Sequence, residues 1–238
     1  METLSIVIPA YNEEKRLPAT LDRIASWVKD SPLPVGEILV VDDGSRDGTA
    51  ALVEKRGAPV RLVRNPGNRG KGYAVRNGML AATGDWILAT DADLSAPIEE
   101  LANLIDAARR ENAVVAIGSR ALDRQLVKVH QPIMREFSGR AFNVVMRVVT
   151  GLPFRDTQCG FKLFRQDAAK TIFSRQLEEG FSFDVEDLVI ARMLGLRSIE
   201  VPVEWSNVEG TKVSLAQGMK SFADLVRIRA RAMRGAYQ

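Results

Sequence analysis

The chain has 238 residues, 46% hydrophobic and 26% charged, enough to bury one sizeable core, so disorder is excluded as the starting expectation. Its single cysteine, Cys159, excludes an intramolecular disulfide, and no apolar stretch approaches the roughly 20 residues of a membrane span. The net charge of +3 is unevenly placed: from Lys212 onward six basic residues accompany one acid, Asp224, so the rest of the chain is net negative.

Met1 leads directly into LSIVIP, without the charged segment and long apolar stretch of a signal peptide, so a reducing cytoplasm is the expected compartment. LSIVIP reads as a strand, after which Leu17, Leu21, Ile24 and Val28 recur at helical spacing. EILVVDD follows as a strand, TAALVEKRG as a helix stopped by Gly57, and VRLVR as a strand. A helix over 73–83, the strand WILATDAD, a helix opened by Pro97 with Glu99 and Glu100 in its first turn, and the strand AVVAIGSR continue the alternation. Beyond Arg120 come an amphipathic stretch over 132–150, the segment DTQCGFKLFR, a short helix, the helix FDVEDLVIARMLG and the strand RSIEVPVEWS. Strand–helix alternation predicts an α/β fold, a mostly parallel sheet with helices on both faces. With no repeat and no linker, the reading is one domain over 1–213 and an amphipathic C-terminal helical extension over 214–238.

In such sheets ligands bind beyond the carboxyl ends of the strands, where PAYNEE, DDGS and DADLS all fall. Asp91 and Asp93, two like charges on the turn leaving a buried strand, repel one another unless a cation joins them. A hard divalent ion that keeps several waters and bridges substrate phosphates is the natural one; a solvated turn with capping acids is the alternative for a D-x-D pair taken alone. Asp42 and Asp43 end another strand, and NPGNRGKGYAV is a glycine-rich loop whose Arg69 and Lys71 can approach a diphosphate.

In order across residues 5–120, SIVIPAYNEE, ILVVDDGSRDGT, NRGKGYAVRNG, DADLS and IGSR resemble the inverting family 2 glycosyltransferases. The resemblance implies a GT-A fold with a nucleotide-sugar donor held by Pro9, Tyr11, Glu13, Asp42, Lys71 and Asp91, and Mg²⁺ or Mn²⁺ at Asp91 and Asp93. Farther along, REFSGRAFN, DTQCGFKLF, FSFDVEDL and VEWSNVEGTKVS resemble the branch that glycosylates polyprenyl phosphates, and within it the dolichyl-phosphate β-glucosyltransferases. Eukaryotic members of that group carry an N-terminal membrane anchor that this sequence does not display. Ser95 stands where mannosyltransferases of the branch tend to have Gln. The reading is therefore hexose transfer, from UDP-glucose, to a polyprenyl phosphate with inversion at C1. GDP-mannose as donor and a soluble or polysaccharide hydroxyl as acceptor are the enzymatic alternatives.

A lipid monophosphate is already a nucleophile near neutral pH and needs positioning by cations, for which Arg120, Arg135 and Lys212 are the candidates. Asp156 resembles the family position assigned as catalytic base, a role obligatory for a hydroxyl acceptor; with a phosphate it can instead orient a cation or the acceptor. Cys159 reads as a small packed side chain, and His130 as a loop residue. From Leu215 onward Met219, Phe222, Val226, Ala230, Met233 and Tyr237 form an apolar stripe beside Arg227, Arg229, Arg231 and Arg234. Such a helix suits a peripheral membrane surface on the cytoplasmic side, or packs on the domain or on a second subunit in a homo-oligomer. The basic tail offers only Phe222 and Tyr237 for stacking, which disfavours nucleic acid as a partner.

Overall fold

The structure is a computed structural model that describes the backbone of residues 1–129, 133–208 and 215–238, and the side chains of 1–129, 142–208 and 222–238. Strands β1 (Leu4–Ala10), β2 (Val35–Asp42), β3 (Val60–Arg64) and β4 (Trp86–Ala89) alternate with helices α1 (Leu17–Trp27), α2 (Thr49–Glu54) and α3 (Lys71–Ala81). A 3-10 turn at Ile98–Glu100 leads into α4 (Leu101–Arg110), and β5 (Val115–Ser119), β6 (Val127–Val129) and α5 (Ile133–Thr150) follow. The chain continues through β7 (Lys162–Arg165), α6 (Gln166–Phe173), α7 (Phe183–Met193), β8 (Ser198–Pro202), β9 (Trp205–Ser206) and α8 (Leu215–Met233).

Seven strands form one sheet in the order β3-β2-β1-β4-β7-β5-β8. All its pairings are parallel except the two made by β7, which lies antiparallel between β4 and β5. The carboxyl ends of β1, β2, β4 and β5 therefore share one edge, and the acidic turns leave the sheet there. Alternation along β1 feeds two core layers: Leu4, Ile6 and Ile8 pack with α1 and α4, whereas Val7 packs with α3 and α7 on the opposite face. RSIEVPVEWS is not one strand. It breaks after Pro202, and β9 leaves the large sheet to pair in parallel with β6 as a separate two-stranded ribbon.

Helix α8 docks against α5 and α7, burying Leu225 and Ile228, with Tyr237 just beyond its end. The covered face coincides with only part of the stripe read from the sequence: Tyr237 is buried, and Phe222 meets the Phe142 ring of α5 edge-on. Val226 and Met233 of that stripe are 61% and 69% exposed, because α5 and α7 cover the side of the helix that Leu225 and Ile228 occupy. Two of the four arginines are tied inward: Arg231 Nη1 lies 2.6 Å from Glu178 Oε1, and Arg227 Nη1 lies 2.8 Å from Asp224 Oδ1.

Glu186, fully buried on α7, gathers this corner. Its Oε1 accepts the Tyr237 hydroxyl at 2.6 Å, and its Oε2 accepts the N–H groups of Leu177 and Glu178 at 2.8 and 2.6 Å. Burial pushes the Glu186 carboxyl above its ordinary pKa even with these donors in place. Tyr237→Phe removes one donor from a buried acceptor, a loss of about 1–3 kcal/mol. The expected result is a Tm lowered by several degrees in a reversible thermal melt; a Tm unchanged within a degree would show that Tyr237 does not hold the helix.

Candidate active site

Two charged constellations stand on the shared edge, one at the end of β4 and one at the end of β5. At the first, Lys71 opens α3 and places its Nζ 2.6 Å from Asp91 Oδ1. Burial raises the Asp91 pKa, but the Lys71 ammonium, with Lys162 and Arg120 farther off, outweighs it and holds the carboxyl below the usual range. Gly160 lies against this carboxylate so closely that a Cβ there would overlap it, so a larger residue at 160 would displace Asp91. Asp93 accepts the N–H and hydroxyl of Ser95 at 3.0 and 2.9 Å and lies 3.9 Å from Arg16 Nη1. Arg16 is in turn held by Glu13 through Nε and Nη2, both at 2.8 Å.

Neighbouring turns complete the donor side. Pro9, near the end of β1, lines one small cavity with Lys71, Asp91, Lys162 and Asp184, and Tyr11 follows on the turn, half-buried. Asp42 is buried at the end of β2, where it accepts the Ser45 N–H at 3.2 Å. Asp43 shapes the glycine-rich loop: its oxygens accept the N–H groups of Arg69 and Gly70 at 3.1 and 2.8 Å. Gly70 has φ +118°, and a Cβ there would strike the Glu179 carbonyl, so glycine is required by packing as well as by conformation. The Arg69 side chain turns away onto Glu179 and the Tyr73 ring, leaving Lys71 as the cation of this loop that faces the aspartates.

At the end of β5, Arg120 meets Asp156 side by side: Nε to Oδ2 at 2.6 Å and Nη2 to Oδ1 at 2.8 Å, with the Arg120 N–H on Oδ2 at 3.0 Å. Asp156 is 2% exposed. Burial raises its pKa, but the Arg120 charge and its hydrogen bonds outweigh that and keep the carboxyl below the ordinary range. Both oxygens are committed to one guanidinium, the arrangement of a residue that orients a cation. Arg120 in turn contributes to the lowered pKa of Asp91, so the two constellations share one field. Cys159 is buried beside them and its thiol is pushed up to about 11 by burial, consistent with a packed side chain. Arg135 falls on α5, but its side chain, like Lys212 and His130 entirely, lies outside the described residues.

Beneath Asp91 the structure adds a pair that motif reading passes over. Lys162 on β7 and Asp184 on α7 form an ion pair with both side chains buried, and Lys162 also donates to the Cys159 carbonyl at 2.6 Å. Their signal was present: a lysine inside the apolar run GFKLF, and two acids, Asp184 and Glu186, in the first turn of a largely apolar helix. A buried charge is retained only with a partner, so each of these implied the other.

Asp91 and Asp93 form an all-oxygen pair, which fits a hard divalent ion that takes its remaining ligands from water and phosphate. Among the described residues no group of three or more His, Cys, Asp or Glu side chains converges, so a closed protein cage for a metal is not what this edge builds.

A model of the family described as Glycosyl transferase family 2 matches residues 5–173. A dolichyl-phosphate beta-glucosyltransferase of Trichomonas vaginalis is 38% identical, over 94% of this chain and 72% of that protein. The Homo sapiens dolichyl-phosphate beta-glucosyltransferase is 35% identical, over 99% of this chain and 77% of that protein. Among solved structures, glucosyl-3-phosphoglycerate synthase from Mycobacterium tuberculosis, in complex with Mn²⁺, UDP-glucose and phosphoglyceric acid, superposes with a TM-score of 0.70. It is 20% identical, with 96% of this chain and 80% of that chain covered. The sheet order, the acidic turns on its edge and the family match over most of the chain agree: this chain has the GT-A fold and belongs to glycosyl transferase family 2, as a glycosyltransferase.

Proposed function

We propose that this enzyme transfers glucose from UDP-glucose to a polyprenyl phosphate of the dolichyl type, with inversion at C1. The observation that carries the choice of acceptor is the state of Asp156, whose carboxylate is buried, held low in pKa and bound through both oxygens to Arg120. A hydroxyl acceptor needs a base, whereas a phosphate oxygen is already anionic and needs a cation to receive it. Arg120, fixed by Asp156, is that cation. The names of relatives at 34–38% identity over most of their length support the same acceptor and glucose as the sugar.

In this reading Pro9, Tyr11, Glu13 and Asp42 surround the nucleotide, Lys71 faces the diphosphate, and Arg135 and Lys212 join Arg120 around the acceptor phosphate. Asp91 and Asp93 would hold Mg²⁺ or Mn²⁺, which when bound supplies charge neutralisation for the departing diphosphate. The acceptor oxygen bonds to C1 as the C1–O bond to UDP breaks, and UDP carries away the electron pair. The test is a panel of radiolabelled nucleotide sugars with polyprenyl phosphate, followed by organic extraction. Label from UDP-glucose alone in the lipid fraction is expected; label from GDP-mannose, or transfer only to water-soluble hydroxyl acceptors, would overturn the reading.

The lipid acceptor calls for a membrane surface. Among the described residues no helix is long and apolar enough to cross a bilayer. Adjacent helices α5 and α8 instead expose Val144, Val145, Val148, Val226 and Met233, with Arg147, Arg229 and Arg234 also exposed. We assign peripheral docking to this side of the molecule. Each arginine near an anionic surface contributes on the order of 1 kcal/mol, so replacing Arg229 and Arg234 by Gln weakens binding to phosphatidylserine vesicles by roughly tenfold or more. The same change at Arg227 and Arg231, which are paired within the protein, acts chiefly on Tm. Equal vesicle binding by both double variants and the wild type would place membrane contact elsewhere.

A further inference from the structure

The role given to Arg120 depends on where its guanidinium points, and Asp156 alone does not determine that. The paired edge of Arg120, Nε and Nη2, faces the carboxylate, and a planar group held by one edge can still rock about it. Trp205 stands beside this group. Its ring lies against Arg120, with Cζ 5.3 Å from the ring centroid, and the side chain is 8% exposed within the core layer that contains α1 and α4.

We propose that Trp205 is a positioning residue of the transfer reaction: its indole supports one face of the Arg120 guanidinium, so that the remaining N–H donors are aimed at the acceptor phosphate. The proposal rests on the reading of Arg120 as the acceptor's cation. An aromatic face is suited to this task because it attracts a cation and excludes water without neutralising the charge, which a second carboxylate would cancel. Asp156 sets the edge and Trp205 sets the plane.

The chain reaches this position by leaving the large sheet after Pro202. By turning into the β6–β9 ribbon it carries Trp205 under Arg120 and brings the next residue to the other constellation, where the Ser206 N–H donates to the Ser95 carbonyl at 2.8 Å. Ser95 in turn donates to Asp93. One dipeptide thus touches both the acceptor cation and, through Ser95, the support of the donor-side aspartate. Glu200 secures the remaining side by accepting the N–H groups of Arg155 and Asp156 at 2.9 and 2.8 Å.

A purely structural tryptophan and a positioning one are separated by a double-mutant cycle on Trp205→Leu and Arg120→Lys, read as donor and acceptor KM with UDP-glucose and a short polyprenyl phosphate. Trp205→Leu is expected to raise the acceptor KM about tenfold, with the donor KM within about twofold, and Trp205→Phe to restore most of the loss. The double variant is expected to be no worse than Arg120→Lys, because the indole acts through the guanidinium. Losses that multiply, or equal rises in both KM values, would overturn the proposal. Should Trp205→Leu fail to fold, fluorescence decides: the wild-type minus Trp205→Phe difference spectrum is expected to change on titration with polyprenyl phosphate and not with UDP, and a silent difference overturns the proposal. If Arg120→Ala leaves the acceptor KM unchanged, the reading of Arg120 has failed. If Arg120→Ala weakens the acceptor while Trp205→Leu has no effect, only the role of Trp205 has.

Discussion

Asp91→Asn and Asp93→Asn each lower sugar transfer on the order of a hundredfold or more, the scale of losing one preorganised charge from a reacting centre. The fold survives both changes, because the two carboxylates stand on the sheet edge and not in either core layer. An amide at position 91 still accepts a hydrogen bond from Lys71, and one at 93 still accepts from Ser95, so the local hydrogen bonds persist while the negative charge is lost. Thermal melts within a few degrees of wild type, together with lost Mn²⁺ binding, complete the expected result. Chelation of the wild type reproduces the defect, and Mg²⁺ or Mn²⁺ reverses it. A folded variant that keeps most of its activity would remove the metal assignment.

The second large effect separates orientation from proton transfer. Arg120→Ala weakens use of the acceptor by about a hundredfold with little change in donor KM, since a buried carboxylate then lacks its partner and the incoming phosphate its cation. Asp156→Asn retains measurable turnover, because an amide oxygen still accepts from Arg120 although the pair loses its charge. The pH profile discriminates further. The lipid phosphate has its second pKa near 6, so kcat/KM for the acceptor rises through about pH 6 in the wild type. The same limb persists in Asp156→Asn, since it belongs to the substrate. Asp156 itself is depressed in the folded state. Its contribution to stability is therefore complete above its unfolded pKa of about 4 and is lost only as pH falls through the lower folded value. A dead Asp156→Asn enzyme that still binds donor and acceptor would mark a true base and favour a hydroxyl acceptor.

Strand β1, the strands at EILVVDD and WILATDAD, and their flanking helices were legible in the sequence because their signals are local. Apolar runs rich in branched residues form strands, period-3.6 stripes form helices, and a parallel sheet places every strand's carboxyl end on one side. For the same reason Asp42, Asp91 and Asp93 could be assigned to one functional edge: Asp42 ends β2, and Asp91 and Asp93 lie on the turn that leaves β4. Tertiary structure alone decided what lies beside what. That β7 enters antiparallel between β4 and β5, and so places Lys162 beneath Asp91, is a matter of strand order, which a run such as KLFR does not encode. Arg120 and Asp156 are 36 residues apart, Trp205 lies farther still, and their mutual support exists only once β5, β8 and the β6–β9 ribbon are assembled. Helix α8 shows the limit most plainly. Its apolar residues occupy more than one face, so periodicity could announce a helix but not choose which face is covered. The surfaces of α5 and α7 made that choice, drawing in Leu225 and Ile228 and leaving Val226 and Met233 outside, because burial is a property of two partners and a sequence segment supplies only one.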